Sequence, residues 1–175
     1  MRARHLFTLL LGAVGLGCGT SLPPPATVPR VDLQRYVGRW YEIARLPFRI
    51  QNGCHATTAT YSALPDGTIR VENRCLDRSF TGKERRAVGK AWVVDHATNA
   101  KLKVQFFWPF RGDYWVLGLG PEYDWALVGD PARRYMWILS RTPRLPAPTY
   151  ESILALARER GYDVSKLIPT PQPPG

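Results

Sequence analysis

The feature that most constrains this chain is an alternation of apolar and polar side chains, repeated run after run between residues 40 and 140. Ile69, Val71 and Asn73 interleave with Arg70, Glu72 and Arg74, and Leu102, Val104 and Phe106 interleave with Lys101, Lys103 and Gln105. A period of two sends successive side chains to opposite faces of a strand, so each run offers one face to a core and one to water. Turn chemistry separates the runs: Leu64-Pro65-Asp66-Gly67, the polar stretch 95–100, Gly120-Pro121 and Gly129-Asp130-Pro131. Glycine, proline, asparagine and aspartate dominate turns because each sets or tolerates the required backbone angles. Counting from Trp40, the pattern predicts eight strands, with residues 49–55 and Arg111-Gly112-Asp113 read as a loop and a turn. The resulting fold class is all-β: an eight-stranded antiparallel up-and-down β-barrel, whose closure removes exposed strand edges.

The flanks read differently. Residues 31–36 predict a helical turn capped by Asp32. Near the other end Thr149 is a cap for a helix running to Arg160. Ile153, Leu154, Leu156 and Ala157 form its apolar stripe and Gly161 its terminator. One amphipathic helix behind eight strands belongs on the outer wall of the barrel. Residues 162–168 then predict a short edge strand, followed by a proline-rich tail.

The N-terminus indicates export. Arg2 and Arg4 precede an apolar stretch, residues 6–16, that is too short to span a bilayer. Gly17-Cys18 follows, and the whole resembles a bacterial lipoprotein signal. That resemblance implies removal of residues 1–17 and lipidation of Cys18. The alternative is an ordinary secretory signal cleaved nearby. Gly19 after the cysteine, in place of aspartate, resembles the pattern sent to the outer membrane. Residues 18–30 read as a proline-rich tether outside the fold, extended because proline favours that geometry, and residues 31–175 as the domain.

The formal net charge of +10 comes from scattered basic residues, with no run of five. No nucleic-acid motif accompanies them, so attraction to anionic lipid headgroups is the better reading. The histidines His5, His55 and His96 lack metal-ligand spacing, no Gly-x-Ser-x-Gly elbow occurs, and no cofactor or catalytic residue is expected. Glu42 is either solvent-facing or a polar group near the base of the barrel. Cys54 and Cys75, in an exported domain, suggest a disulfide. A regular ladder through Asp66-Gly67 sets Cys75 opposite Thr58 and leaves Cys54 about 13 Å further along, against the ~7 Å a bridge allows. Bridging therefore requires a curl at Asn52-Gly53 or a bulge.

Three segments carry a family resemblance: Gly38-x-Trp40, Tyr123-Asp124-Trp125-Ala126-Leu127-Val128, and Ser140-Arg141-Thr142-Pro143. In this order, with a helix behind them, they resemble the three lipocalin signature regions. The runs around Trp40 and Trp137 are similar to bacterial outer-membrane lipocalins, across roughly residues 31–175. The resemblance implies that Gly38 and Trp40 build the closed end, with Arg141 packed across the indole. It further implies a calyx for a fatty acid, phospholipid or lysophospholipid, and a non-enzymatic protein anchored to the outer membrane and facing the periplasm. Homodimerisation is compatible with it. Alternation places Ala59, Tyr61, Ile69, Val71, Leu102, Val104 and Phe106 inward, joined by Tyr135 and Trp137, as the expected ligand wall. An enzyme on a lipocalin barrel and a lipoprotein with a filled core are the competing readings.

Overall fold

Alternation along the strands becomes a closed wall. The computed structural model describes residues 22–173; Cys18 and the signal segment lie outside the described residues. The strands are β1 Gly38–Arg45, β2 Cys54–Ala63, β3 Ile69–Asp77, β4 Glu84–Val93, β5 Lys101–Phe107, β6 Phe110–Leu119, β7 Trp125–Gly129 and β8 Met136–Ser140. Each pairs antiparallel with its successor, and β1 pairs with both β8 and β2, which closes the barrel. A ninth strand, β9 Ile168–Pro169, adds to β1. A single helical turn, α1 Leu33–Tyr36, precedes the barrel, with the Asp32 carboxylate accepting from the Gln34 and Arg35 amides.

A second helix, α2 Ala147–Glu159, covers the outside. It starts two residues before Thr149 because Pro148, in its first turn, brings a backbone angle already suited to a helix. Its buried Ile153 and Ala157 pack with Ala44, Leu117, Leu127, Met136 and Ile138. A separate interior core runs from Val31, Tyr36 and Trp40 through Val71 and Leu102 to Val116. The stretch read as an edge strand after α2 is instead a 3-10 turn, Val164–Lys166, leading into the two residues of β9.

At the closed end Trp40 is fully buried. Its Nε1 donates to the Tyr36 carbonyl at 2.8 Å, and the Arg141 guanidinium lies 3.8 Å from the ring centroid. Arg141 also donates to the Arg35, Val37 and Arg39 carbonyls at 2.7, 3.0 and 2.9 Å, stitching α1 to the barrel. Gly38 has φ +99°, and a Cβ there would stand 3.2 Å from Arg141 Nη1. Glycine meets both demands.

Cys54 and Cys75 are bridged, with Cα atoms 5.4 Å apart. The ladder carries a bulge: three steps from Thr58 to His55 on β2 face two from Arg74 to Leu76 on β3. Arg74, not Cys75, is opposite Thr58. The bulge sits at Ala56, where φ is +50° and the amide turns to donate to the Pro171 carbonyl at 2.8 Å. A bulge bends its strand, and this one brings the two cysteines within reach.

Three further readings need correction. β4 starts at Glu84 rather than Gly89. Arg111, Gly112 and Asp113 belong to β6 rather than to a turn. The described part of the proline-rich segment is not a free leash: Pro25 is buried and the Val28 and Val31 amides donate to the Val116 and Thr98 carbonyls at 2.9 and 2.7 Å.

Candidate functional site

Small inward side chains on β2, β4 and β6, such as Ala59, Ala87 and Gly112, hold the upper barrel open. The resulting cavity is about 630 Å³, within the ~300–1,000 Å³ usual for small-molecule pockets. Ala59, Tyr61, Val71, Val104, Phe106, Tyr135 and Trp137 line it. Ile69 and Leu102 also point inward but lie lower, against a void of about 20 Å³ shared with Leu33, Ala91 and Val116. They pack the closed end. Gly89 does not leave the free volume its size suggests, because the Phe106 ring leans over it; a Cβ there would come within 2.7 Å of that ring.

The floor is a tyrosine cluster in which Tyr61, an expected wall residue, is joined by Tyr36 and Tyr114, which lie outside the expected set. The Tyr114 hydroxyl bonds to Tyr36 at 2.7 Å and to Tyr61 at 3.0 Å. Burial holds all three phenols neutral, pushing Tyr36 and Tyr114 well above the ordinary range and Tyr61 to about 12. Two bonds use two of the three hydroxyl protons and leave one phenolic donor within the cluster. These tyrosines come from α1, β2 and β6, and only Tyr61 falls within an alternating run.

One wall carries a polar relay. Trp137 Nε1 donates to Gln51 Oε1 at 2.9 Å, and Gln51 Nε2 donates to Glu42 Oε2 at 2.7 Å. Glu42 also accepts from Thr170 Oγ1 at 2.5 Å and stands 3.4 Å from Arg45 Nε. The carboxylate is buried and borders the cavity, which settles its placement as a polar group inside the wall. Burial raises its pKa despite the Thr170 and Gln51 hydrogen bonds and the Arg45 charge. Next to it, Thr57 Oγ1 and Asn73 Oδ1 are buried on the cavity wall with no protein partner among the described residues.

The mouth is aromatic and basic. Phe48 packs edge-on against Tyr135 and Trp137, at ring separations of 5.3 and 5.8 Å. Arg85, Arg111 and Arg134 border the opening. Arg85 is tied across to the Ile50 and Asn52 carbonyls at 2.5 and 3.0 Å, whereas the exposed Arg134 sits 3.6 Å from Asp130. Among the described residues no three His, Cys, Asp or Glu side chains are grouped as metal ligands. The two sulfurs nearest the cavity are bonded to each other. The arrangement is that of a binding cup: apolar and aromatic within, with polar contacts at its floor, one wall and its rim.

An eight-stranded calyx, a tryptophan plug under an arginine, and an outer helix define one family, and the family described as the lipocalin-like domain matches residues 31–172. The chain is a lipocalin. It is 46% identical over 155 residues to temperature-induced lipocalin-1 of Arabidopsis thaliana, covering 83% of this chain and 81% of that protein. It is 42% identical over 160 residues to the outer membrane lipoprotein Blc of Escherichia coli strain K12, covering 90% of each. Among solved structures it resembles insecticyanin from the tobacco hornworm Manduca sexta, with a TM-score of 0.67 at 23% identity over 86% of this chain and 84% of that one. That structural likeness concerns the fold alone. Membership is consistent with binding a small apolar molecule in the calyx.

Proposed function

We propose that this lipocalin is a membrane-anchored carrier that takes up a single fatty acid, lysophospholipid or phospholipid and stores or moves it during envelope maintenance. The observation that carries this reading is the cavity of about 630 Å³ with an apolar interior and a basic mouth. Burial of each acyl methylene contributes about 0.8 kcal/mol, so a long chain binds without many polar contacts. The headgroup stays at the rim, where Arg134 and Arg111 offer charge to a carboxylate or phosphate. Thr57 and Asn73 on the wall suit the ester or hydroxyl of a glycerol backbone. No covalent step is required, and the bridging of Cys54 to Cys75 leaves neither as a free thiol nucleophile.

Lipidation of Cys18 and residence at the outer membrane, facing the periplasm, complete the proposal. The lipoprotein-like signal and the similarity to an outer membrane lipoprotein support it. Native mass spectrometry of the purified protein is the test, with an added fatty acid or lysophospholipid as probe. A one-to-one lipid adduct is expected. A protein that purifies empty and takes up neither probe defeats the carrier reading. Loss of palmitate labelling in Cys18→Ala is expected, and labelling that survives defeats the anchor.

A further inference from the structure

The four connections at the open end contain Arg49, Arg78, Lys83, Arg133 and Arg134 and one acid, Asp130. The three hairpin loops at the closed end contain Asp66, Asp95, Glu122 and Asp124 and neither lysine nor arginine. Of the other basic residues at the closed end, Arg35 pairs with Glu122 at 3.6 Å and Arg141 lies under Trp40. The loops at the two ends are therefore opposite in charge, and at the closed end Lys90 pairs with Asp66 at 2.7 Å as well. The carboxylates near the rim are already matched: Asp77 by Arg85, Glu84 by Arg74 and Asp113 by Lys103. Arg49 and Arg111 have no carboxylate within 4.0 Å among the described residues, which leaves the rim positive.

From this basic rim one hairpin projects an apolar tip. Phe107, Trp108 and Phe110, at the β5–β6 turn, are 67%, 83% and 77% exposed, with Pro109 between them. Ile50, on the β1–β2 loop across the mouth, is 61% exposed. Scattered exposed apolar residues are unremarkable, but adjacent large aromatics on one protruding turn mark a contact surface. Aromatic side chains flanked by arginine have the composition of a segment that sits at the headgroup level of a bilayer.

The path of the N-terminal segment points the same way. From Val31, bonded to Thr98 at the closed end, it climbs the outer wall past Val116. The Pro23 carbonyl accepts from Arg133 Nη2, at the open end, at 2.6 Å. The described N-terminal segment thus ends on the side of the mouth. Cys18 lies four positions before Leu22, at most about 14 Å of extended chain.

We infer that the open rim is a membrane-docking surface for anionic phospholipid, in which the Phe107–Phe110 tip enters the interface and the rim arginines face the headgroups. Docking in this orientation opens the calyx toward the bilayer, where an amphiphile leaves its leaflet tail first. The docking itself stands on the rim and holds whether or not Cys18 is acylated.

The test uses the full chain carrying Cys18→Ala, to remove any acyl anchor, mixed with vesicles of phosphatidylglycerol brominated on their acyl chains or of equally brominated phosphatidylcholine. Subtracting the emission of a Trp108→Tyr chain isolates Trp108. On phosphatidylglycerol that emission should shift blue and be quenched, and rising salt should weaken the effect. Arg134→Glu should weaken binding roughly tenfold or more. A Trp108→Ser chain, followed by vesicle co-sedimentation, should bind phosphatidylglycerol more weakly, keep its melting temperature, and still take up a fluorescent fatty acid from solution, because Trp108 does not line the cavity. Trp108 emission indifferent to both vesicles overturns the inference. So does a dimer in sedimentation that depends on the hairpin and buries it without lipid quenching. Quenching by a chain that binds no fatty acid supports docking and counts against the carrier proposal alone.

Discussion

Replacing Trp40 with alanine tests whether the signature tryptophan holds the barrel together or touches its cargo. The indole is completely buried, donates to Tyr36, and is sandwiched between the Arg141 guanidinium at 3.8 Å and the Tyr36 ring at 5.1 Å. Truncating a buried aromatic costs about 3–5 kcal/mol. A lost hydrogen bond of about 1 kcal/mol and a desolvated cation–π contact of about 1–2 kcal/mol place this site at the upper end. The expected loss is about 4–5 kcal/mol, or roughly 10–20 °C in Tm for a domain of this size. Urea unfolding followed by circular dichroism should show a lower midpoint with an unchanged slope. Arg141→Leu should be less costly in the Trp40→Ala background than alone, with a coupling of about 1–2 kcal/mol. The 630 Å³ cavity lies above the plug and Trp40 does not line it, so residual folded protein should bind the same lipid. An alanine variant of unchanged stability with altered ligand choice would refute the assignment of Trp40 to the plug.

Reducing the Cys54–Cys75 bridge, which closes a 21-residue separation, should destabilise the barrel by about 3 kcal/mol in the chain-entropy account; unfolding with and without reductant measures it. Glu72 is held well below the usual carboxylate range by Arg86, with Arg70 and Arg74 adding to it. As pH falls the unfolded chain takes up that proton first, so this stabilisation is complete above the usual carboxylate range and lost as pH drops below it. The Tm gap between the native chain and Glu72→Gln should accordingly be widest near neutrality and close in acid. Ala59→Trp, which fills the upper cavity, should weaken fatty-acid binding at least tenfold at a stability cost of about 1–3 kcal/mol, read by fluorescence titration and thermal melting.

What the sequence reveals of this fold is what burial writes into it. Lower in the barrel, where one face meets the core and the other meets water, Ile69-Val71 and Leu102-Val104 alternate and their strands are legible. On β4 and β6 near the mouth the residues bordering the cavity include Arg85, Ala87 and Gly112, too polar or too small to mark an apolar face, so the period disappears there. That is why Glu84–Val88 is absent from the predicted β4 and why Arg111-Gly112-Asp113 resembles a turn. The floor was invisible for another reason. Tyr36, Tyr61 and Tyr114 meet only through closure of the barrel, and no local spacing announces hydroxyls 78 and 53 residues apart. Glu42 was ambiguous because its partner Thr170 is 128 positions away. The bridge was foreseeable as a pair but not as a geometry, since a single positive φ at Ala56 decides it.

The segment that supplies Thr170 also seals the side wall of the barrel. The β1–β2 ladder ends at Tyr41 and Thr58. Beyond that point residues 168–172 bridge the gap: β9 pairs with β1, Thr170 donates to the Ile43 carbonyl, and the Ala56 amide donates to Pro171. Gln172 Nε2 reaches the Glu42 and Thr57 carbonyls at 2.8 and 3.1 Å. The seam between the first two strands is thus sutured by residues more than 100 positions further along the chain. Until residues 168–172 dock, that side wall stays unsealed, and a chain ended at Leu167 should melt lower and leak bound lipid faster than the full chain.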